Sequence, residues 1–528
     1  MTDRTLHALL TTGTVGSTDP PVRGFMLDSA RCQENRDFYR KFIDFAANRG
    51  TQFLLWHFTD DQGCSLVFDS VPGIASPHAY TKTEMRELIA YARMRGVEII
   101  PELASLGHCT YITRLPAYHP LHEGDERFTG MCPVSDQTRG IIRDLIHETI
   151  DLFDSPNFHV GMDEVNIGSH PLTRVALENQ SYSDLMADYI LFLHGIVTAK
   201  NRRMWMWGDG LLKHPDILKR LPRDIVICNW QYRPDASPLT TQTLLDAGFD
   251  VMLTSSMINH DQMLFPGDQF AASNIRTLQS QIQLTATGAA GGKILGHLCT
   301  IWTPVRFIAD SIWAGVDLAA AIMHDGPAVS PANIAEQFGK SFYGLNRSAA
   351  TQFADVVRLL LEHSPARKQW LAVAKCQPIS EPMLNRVLSA SKAWTIAHDL
   401  LSEIAPQVRD HQAEFYAFKL LVELLQQTHA AAVHLADPAV SSTTIAEMIR
   451  RGQKLVDRIS AQYDRERYGD DPRKFTAPLP RFQDEHLIPL LQSGLAAMKN
   501  RFEESGVQVI INPGAAAITS PACVVKSV

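Results

Sequence analysis

Several features missing from this chain narrow what it can be. Its eight cysteines, at positions 32, 64, 109, 132, 228, 299, 376 and 523, form no C-x-x-C pair, so neither a zinc knuckle nor a dithiol redox site is suggested. No run reaches the roughly 20 apolar residues that cross a bilayer, and no membrane partner is expected. The opening residues, MTDRTLHALLTTGTVGSTDP, join no basic flank to a sustained apolar core. That reads as no secretion signal, hence a cytoplasmic protein with reduced thiols. The N-x-S sequons at Asn179 and Asn346 are then chance matches. No basic cluster offsets the net charge of −8, which argues against nucleic acid as a partner. A Gly-rich phosphate loop is also missing: the first strand-like run leads into Asp28-Ser29-Ala30-Arg31.

What is present is a repeat of apolar run, loop and amphipathic helix. At 528 residues the chain is too long for one small core. Residues 1–20 read as a flexible leader. The apolar runs then fall at 22–27, 52–58, 97–103, 158–162, 203–207, 224–230, 249–254 and 293–302. Between them Phe38, Phe42 and Phe45 recur at i, i+4, i+7, and Met85, Leu88, Ile89 and Ala92 at i, i+3, i+4, i+7, each a helical stripe. Eight such alternations predict an α/β fold, a (β/α)8 TIM barrel over 21–328. A doubly wound open sheet would ordinarily bring the phosphate loop that is missing here. Beyond it, helical stretches at 349–363, 384–402, 407–435, 441–463 and 485–504 predict an α-helical C-terminal domain over 329–505, with 506–528 as a tail. These helices either cover the barrel or make a homodimer contact.

A barrel puts its working residues at the C-terminal ends of its strands. There stand Arg23 and Asp28 at run one, His57, Asp60 and Asp61 at two, and Glu102 and His108 at three. His159, Asp163 and Glu164 follow at four, Trp205, Trp207 and Asp209 at five, and Asn229 and Trp230 at six. Asn259 and His260 belong to seven, and Trp302 to eight. Acids and histidines gather on one half and tryptophans on the other. His159 reads as a satisfied core histidine, and Trp205 and Trp313 as core facing the helices. Asp209 either caps a helix or touches a sugar.

The densest stretch is Asn157-Phe-His-Val-Gly-Met-Asp-Glu-Val-Asn-Ile-Gly168. Adjacent acids at a strand exit are costly unless used, because each opposes ionisation of the other. Two carboxyls facing an aromatic wall are the minimum for cleaving a glycosidic bond, one of them protonating the leaving oxygen. On this reading an ionised Asp163 raises the pKa of Glu164 towards neutrality.

The run HVGMDEV resembles the H-x-G-G-D-E-V signature of the family 20 glycoside hydrolases, the β-N-acetylhexosaminidases. The likeness extends through Arg23-Gly24 with Leu27-Asp28 and Arg31, through Trp56-His57-Phe58-Thr59-Asp60-Asp61-Gln62, and through Pro101-Glu102 to Gly107-His108. It covers about residues 20–325. The resemblance implies that Glu164 is the general acid and then the base. Asp163 would hold the N–H of the substrate's 2-acetamido group, whose oxygen attacks the anomeric carbon. Arg23 would bind sugar hydroxyls, Asp60 and His108 would support Glu164, and Trp207, Trp230 and Trp302 would line the acetamido pocket. The substrate would be a terminal GlcNAc or GalNAc, with no cofactor and no metal.

Departures from the family pattern are specific. Met162 stands where the signature has its second Gly, and Ala104 and Leu106 replace the third strand's usual Asp and Pro. No tyrosine occurs in Ser255–His260 after strand seven, and strand eight reads Trp302-Thr303-Pro304 instead of W-x-E. With these changes the chain looks closer to the nucleocytoplasmic hexosaminidase D branch. Two other readings remain open. His57, His108, His159, Asp60 and Asp163 could ligate Zn²⁺ or Mn²⁺ in a metal-dependent hydrolase, or the barrel could bind sugars without turning them over.

Overall fold

A computed structural model describes residues 21–124, 130–258, 269–287, 291–303, 307–365, 367–437, 439–467 and 487–503. The leader 1–20, the tail 506–528, and Asn259 with His260 lie outside them. Eight parallel strands close into a barrel: β1 (Val22–Asp28), β2 (Phe53–His57), β3 (Glu98–Glu102), β4 (Asn157–His159), β5 (Arg203–Trp207), β6 (Val226–Trp230), β7 (Asp250–Ile258) and β8 (Ile294–Ile301). Neighbours in sequence are neighbours in the sheet, and β8 pairs with β1. The expected barrel is the observed one.

Side-chain alternation decides what each strand offers. In β1, Val22 and Met26 face the barrel interior while Phe25 and Leu27 pack under the helices. Gly24 shares the inward parity because a Cβ there would stand 2.3 Å from the Phe53 ring, which fills the space. Trp205 and Trp207 share one parity, so both lie inside with Phe53, Leu55 and Ile100. This corrects the expectation that Trp205 faces the helices; its indole N–H donates to Asn157 at 3.0 Å. Trp313 does pack under the helices, against Phe38 and Phe342.

The helices begin where their caps allow. Asn35 accepts from Phe38 N–H at the start of Arg36–Asn48, and Thr81 with Glu84 forms a capping box before Lys82–Met94. Met85, Leu88, Ile89 and Ala92 are the buried stripe of that second helix. The C-terminal half is helical: Arg347–His363, Glu381–Ile404, Gln412–Ala436, Ser442–Arg467 and Leu487–Glu503 answer the expected stretches. The helices Pro331–Ser341 and Arg367–Ala374 were not legible in the sequence. Among the described residues no helix is long and apolar enough to cross a membrane.

Candidate active site

Register builds the floor of the site. Asp28 pairs with His57, His57 with Glu102, and Glu102 with His159, so one rung of four neighbouring strands carries four inward polar groups. All four are buried, above the apolar layer of Met26, Leu55 and Ile100. His57 Nδ1 lies 3.1 Å from Glu102 Oε2, and the other Glu102 oxygen accepts the Trp207 indole N–H at 2.7 Å. Burial opposes charge on His57, but Glu102, Asp60 and Asp28 outweigh it and lift its pKa to about 10. His159 is a core histidine as expected, but only half satisfied: burial drops it to about 4, its Nδ1 accepts Gly161 N–H at 3.0 Å, and its buried Nε2 has no hydrogen-bond partner among the described residues.

Above this floor, the chain after β4 turns sharply. Gly161, Met162 and Glu164 all have left-handed φ values of 67°, 75° and 48°. The family's second Gly is suited to the conformation that Met162 adopts here, at a cost of order 1 kcal/mol. The turn is packed against the β3 loop: a Cβ on Gly107 would lie 2.3 Å from the Asp163 carbonyl oxygen. Beyond it, the buried Glu123 carboxylate accepts the N–H groups of Gly168, Ser169 and His170.

His108 sits among the acids. Its Nε2 is 3.3 Å from Glu164 and 3.5 Å from Asp163; its Nδ1 is 2.9 Å from Asp61 and 3.5 Å from Asp60. Burial opposes its charge, yet Asp163, Asp61 and Glu164 hold its pKa well above the ordinary value. The support expected from Asp60 therefore comes more directly from Asp61, while Asp60 is taken by the Arg31 guanidinium at 2.8 Å. The two acids also reverse the expected order. Burial lifts Asp163 to about 7, whereas the His108 hydrogen bond lowers Glu164, whose side chain is 57 % exposed.

The opposite wall is aromatic. Trp207, Trp230 and Trp302 line a cavity of about 570 Å³ together with Arg31, His108, Asp163 and Glu164. Tyr232, absent from the sequence reading, joins them. It follows Trp230 by two residues and keeps its inward parity, stacks on it at 5.1 Å, and its hydroxyl accepts the Trp302 indole N–H at 2.9 Å. Asp209 links the walls, accepting Glu164 N–H at 3.2 Å and Trp230 Nε1–H at 3.3 Å.

Arg23 is not among these residues. Its parity is that of Phe25, and it lies near the N-terminal end of β1, where Asp325 is its charged neighbour and Gly50 its backbone neighbour. Arg31 reaches the buried side of the pocket instead, held by Asp28 at 2.9 Å and stacked over Trp302 at 4.9 Å, with the exposed Arg233 at the rim.

The metal reading can be tested on this geometry. Among the described residues, Asp60, Asp61 and His108 bring ligand atoms within 4.8 Å of one another. Arg31 already neutralises Asp60 there, and the far nitrogen of His108 faces Asp163 and Glu164, so the donor set fits a cation poorly.

The β-hexosaminidase of Emericella nidulans is 25 % identical over 266 residues, 45 % of this chain and 43 % of that protein. The β-hexosaminidase of Vibrio furnissii is 26 % identical over 268 residues, 44 % and 42 % of the two chains. The chain thus spans less than half the length of these curated relatives. A crystal structure of a β-N-acetylhexosaminidase, 19 % identical, superposes with a TM-score of 0.50 over 62 % of this chain and 79 % of its own, which supports the fold. The family model described as "Glycosyl hydrolase family 20, catalytic domain" matches residues 21–304, the whole span from β1 to the end of β8. With its signature acids at the mouth of that barrel, the chain belongs to glycosyl hydrolase family 20.

Proposed function

We propose that the chain is an exo-acting, retaining β-N-acetylhexosaminidase that removes terminal GlcNAc or GalNAc by substrate-assisted catalysis. One observation carries this reading: Asp163 and Glu164 share a single cavity with three tryptophans and a tyrosine. Glu164 protonates the glycosidic oxygen as the bond breaks, and the acetamido oxygen forms the new bond to the anomeric carbon. Glu164, now a carboxylate, takes a proton from the water that opens the cyclic intermediate, so two inversions retain configuration. Asp163 accepts the acetamido N–H, and Tyr232 stands where a donor to the acetamido oxygen is needed, in place of the tyrosine missing after β7. Arg31 binds sugar hydroxyls.

Sugar binding must also reverse the resting proton order. Covering Glu164 removes its water and favours its neutral form, while the acetamido N–H favours the Asp163 anion. Binding thereby shifts protonation from Asp163 towards Glu164.

The departures at Met162, Ala104, Leu106 and Trp302-Thr303-Pro304 support a place near the hexosaminidase D branch and a cytoplasmic setting. We divide the chain into the catalytic barrel at 21–328 and the helical domain at 329–505. The test is a panel of chromogenic β-glycosides of GlcNAc, GalNAc, Glc and Gal, with and without chelator. Cleavage confined to the non-acetamido sugars would refute the mechanism, and chelator-sensitive cleavage would restore the metal reading. Glu164→Gln should abolish most turnover while retaining sugar binding; undiminished turnover would exclude Glu164 as the acid.

A further inference from the structure

We propose that the C-terminal helices belong to the working machinery of the pocket, with Glu466 as a positioning residue for the loops that carry Arg31 and Trp302. This rests on the sugar-site reading above. Glu466 lies in the last turn of the helix Ser442–Arg467 and is 2 % exposed. A buried carboxylate at a helix C-terminus sits at the wrong end of the helix dipole and is costly unless something uses it.

Its users are backbone groups of the barrel. One oxygen accepts Ala309 N–H at 3.1 Å; the other accepts Asp310 N–H at 3.0 Å and the Gln462 amide at 2.9 Å. These are the leading N–H groups of the single turn Ala309–Ser311, which have no partner within so short a helix. The same helix end grips a second segment: Asn35 N–H donates to the Glu466 carbonyl at 3.0 Å, and the Asn35 amide to the Arg465 carbonyl at 2.9 Å.

Both gripped segments follow pocket residues closely in sequence. Asn35 ends the loop that begins at β1 and carries Arg31; Ala309 follows the loop that begins at β8 and carries Trp302. At the pocket itself Asp28 joins them, accepting Thr303 N–H at 3.0 Å while holding Arg31 at 2.9 Å. A further tie comes from Lys41, which pairs with Asp310 at 3.5 Å and with Glu414 of the helix Gln412–Ala436. The two loops are therefore fixed at one end by Asp28 and at the other by the helical domain. Asp163 and Glu164 follow β4, on a different part of the rim, and do not share this support.

A tie that merely joined two halves of the protein would affect stability alone; a positioning role changes sugar binding at fixed stability. Glu466→Ala, Glu466→Gln and, as control, Leu401→Ala in the buried core of the helix Glu381–Ile404 should be compared well below their melting temperatures. Three quantities are read: amide hydrogen exchange over 29–36 and 307–312, the Kd of N-acetylglucosamine, and KM and kcat for a chromogenic β-N-acetylglucosaminide. Glu466→Ala removes the acceptors of Ala309 and Asp310 but keeps the backbone carbonyls that hold Asn35, so protection should fall most over 307–312 and less over 29–36, with Kd and KM raised about tenfold and kcat within about threefold; Glu466→Gln, keeping one acceptor, should fall between. Leu401→Ala should lower Tm and leave all three readings unchanged. Unchanged Kd and exchange in a destabilised Glu466→Ala, or the same Kd rise in Leu401→Ala, would overturn the proposal. If the wild type cleaves no β-glycoside, the sugar-site reading falls separately, and exchange in the two segments still decides whether Glu466 couples them.

Discussion

Replacing Arg31 by lysine separates the arginine that the structure puts in the pocket from the one that the strand pattern suggests. The Arg31 guanidinium reaches Asp28 at 2.9 Å and Asp60 at 2.8 Å, with its side chain only 12 % exposed. A lysine ammonium keeps the charge but is a point donor on a flexible stem, and cannot span both carboxylates in one plane. One charge-assisted contact is then lost, about 1.5–3 kcal/mol. The Trp302 face also loses its stacked guanidinium, about 0.5–1 kcal/mol more. If the loss falls on sugar binding, kcat/KM should drop by roughly 30- to 700-fold, since 1.4 kcal/mol is a factor of ten. Asp60, held far below the ordinary carboxylate range chiefly by Arg31 against the effect of burial, should rise in pKa. Arg23→Lys is the matched control, because Arg23 faces Asp325 away from the cavity. It should change kcat/KM by less than about twofold. Both variants are assayed on a chromogenic β-N-acetylglucosaminide beside thermal melts. Equal losses in the two, or none in Arg31→Lys, would refute the assignment.

Other consequences concern protons and the aromatic wall. With Asp163 lifted to about 7 and Glu164 lowered, the pair carries one proton between those limits, so kcat/KM should be greatest in weak acid and fall above about pH 7 as that proton leaves. In Asp163→Asn only the lowered Glu164 remains, and the alkaline limb should move down into the ordinary carboxylate range; an unmoved limb would show that Asp163 is not the upper group. Tyr232→Phe should lower kcat by roughly 10²-fold if the phenol supports the attacking acetamido group, read from saturation kinetics, and an unchanged kcat would exclude that role. Trp207→Phe leaves the buried Glu102 oxygen without its indole donor and should destabilise the protein by about 1–3 kcal/mol in a denaturant melt; a smaller change would mean that Glu102 finds another partner.

The barrel was legible because eight buried strands keep short apolar runs while the helices between them keep a 3.6-residue stripe. Strand parity was the finer signal, and following it more strictly would have helped at three positions. Arg23 and Asp28 lie an odd number of residues apart, so they cannot both point inward from one regular strand. Trp205 and Trp207 must share a face, and Trp230 with Tyr232 likewise. Other features depend on distance rather than pattern. Nothing in the sequence tells that His108 Nδ1 reaches Asp61 more closely than Asp60, or that its ring passes between those acids and the Asp163–Glu164 pair. The inverted pKa order of Asp163 and Glu164 was illegible for the same reason: it follows from Asp163 being the more buried carboxyl and Glu164 being open to water.

Glu102 has one further consequence. Its two oxygens hold a member of each wall, the Trp207 indole on one side and the His57 imidazole on the other. A side chain exchanged at either wall therefore disturbs the other through a shared keystone, and the floor of the pocket resists piecemeal redesign. At the β6 margin the backbone is held by Asn274 and Thr277, but the Arg233 and Asp235 side chains are exposed and pair with each other. Substitutions at these two exposed side chains should therefore alter the cavity rim without disturbing the buried floor.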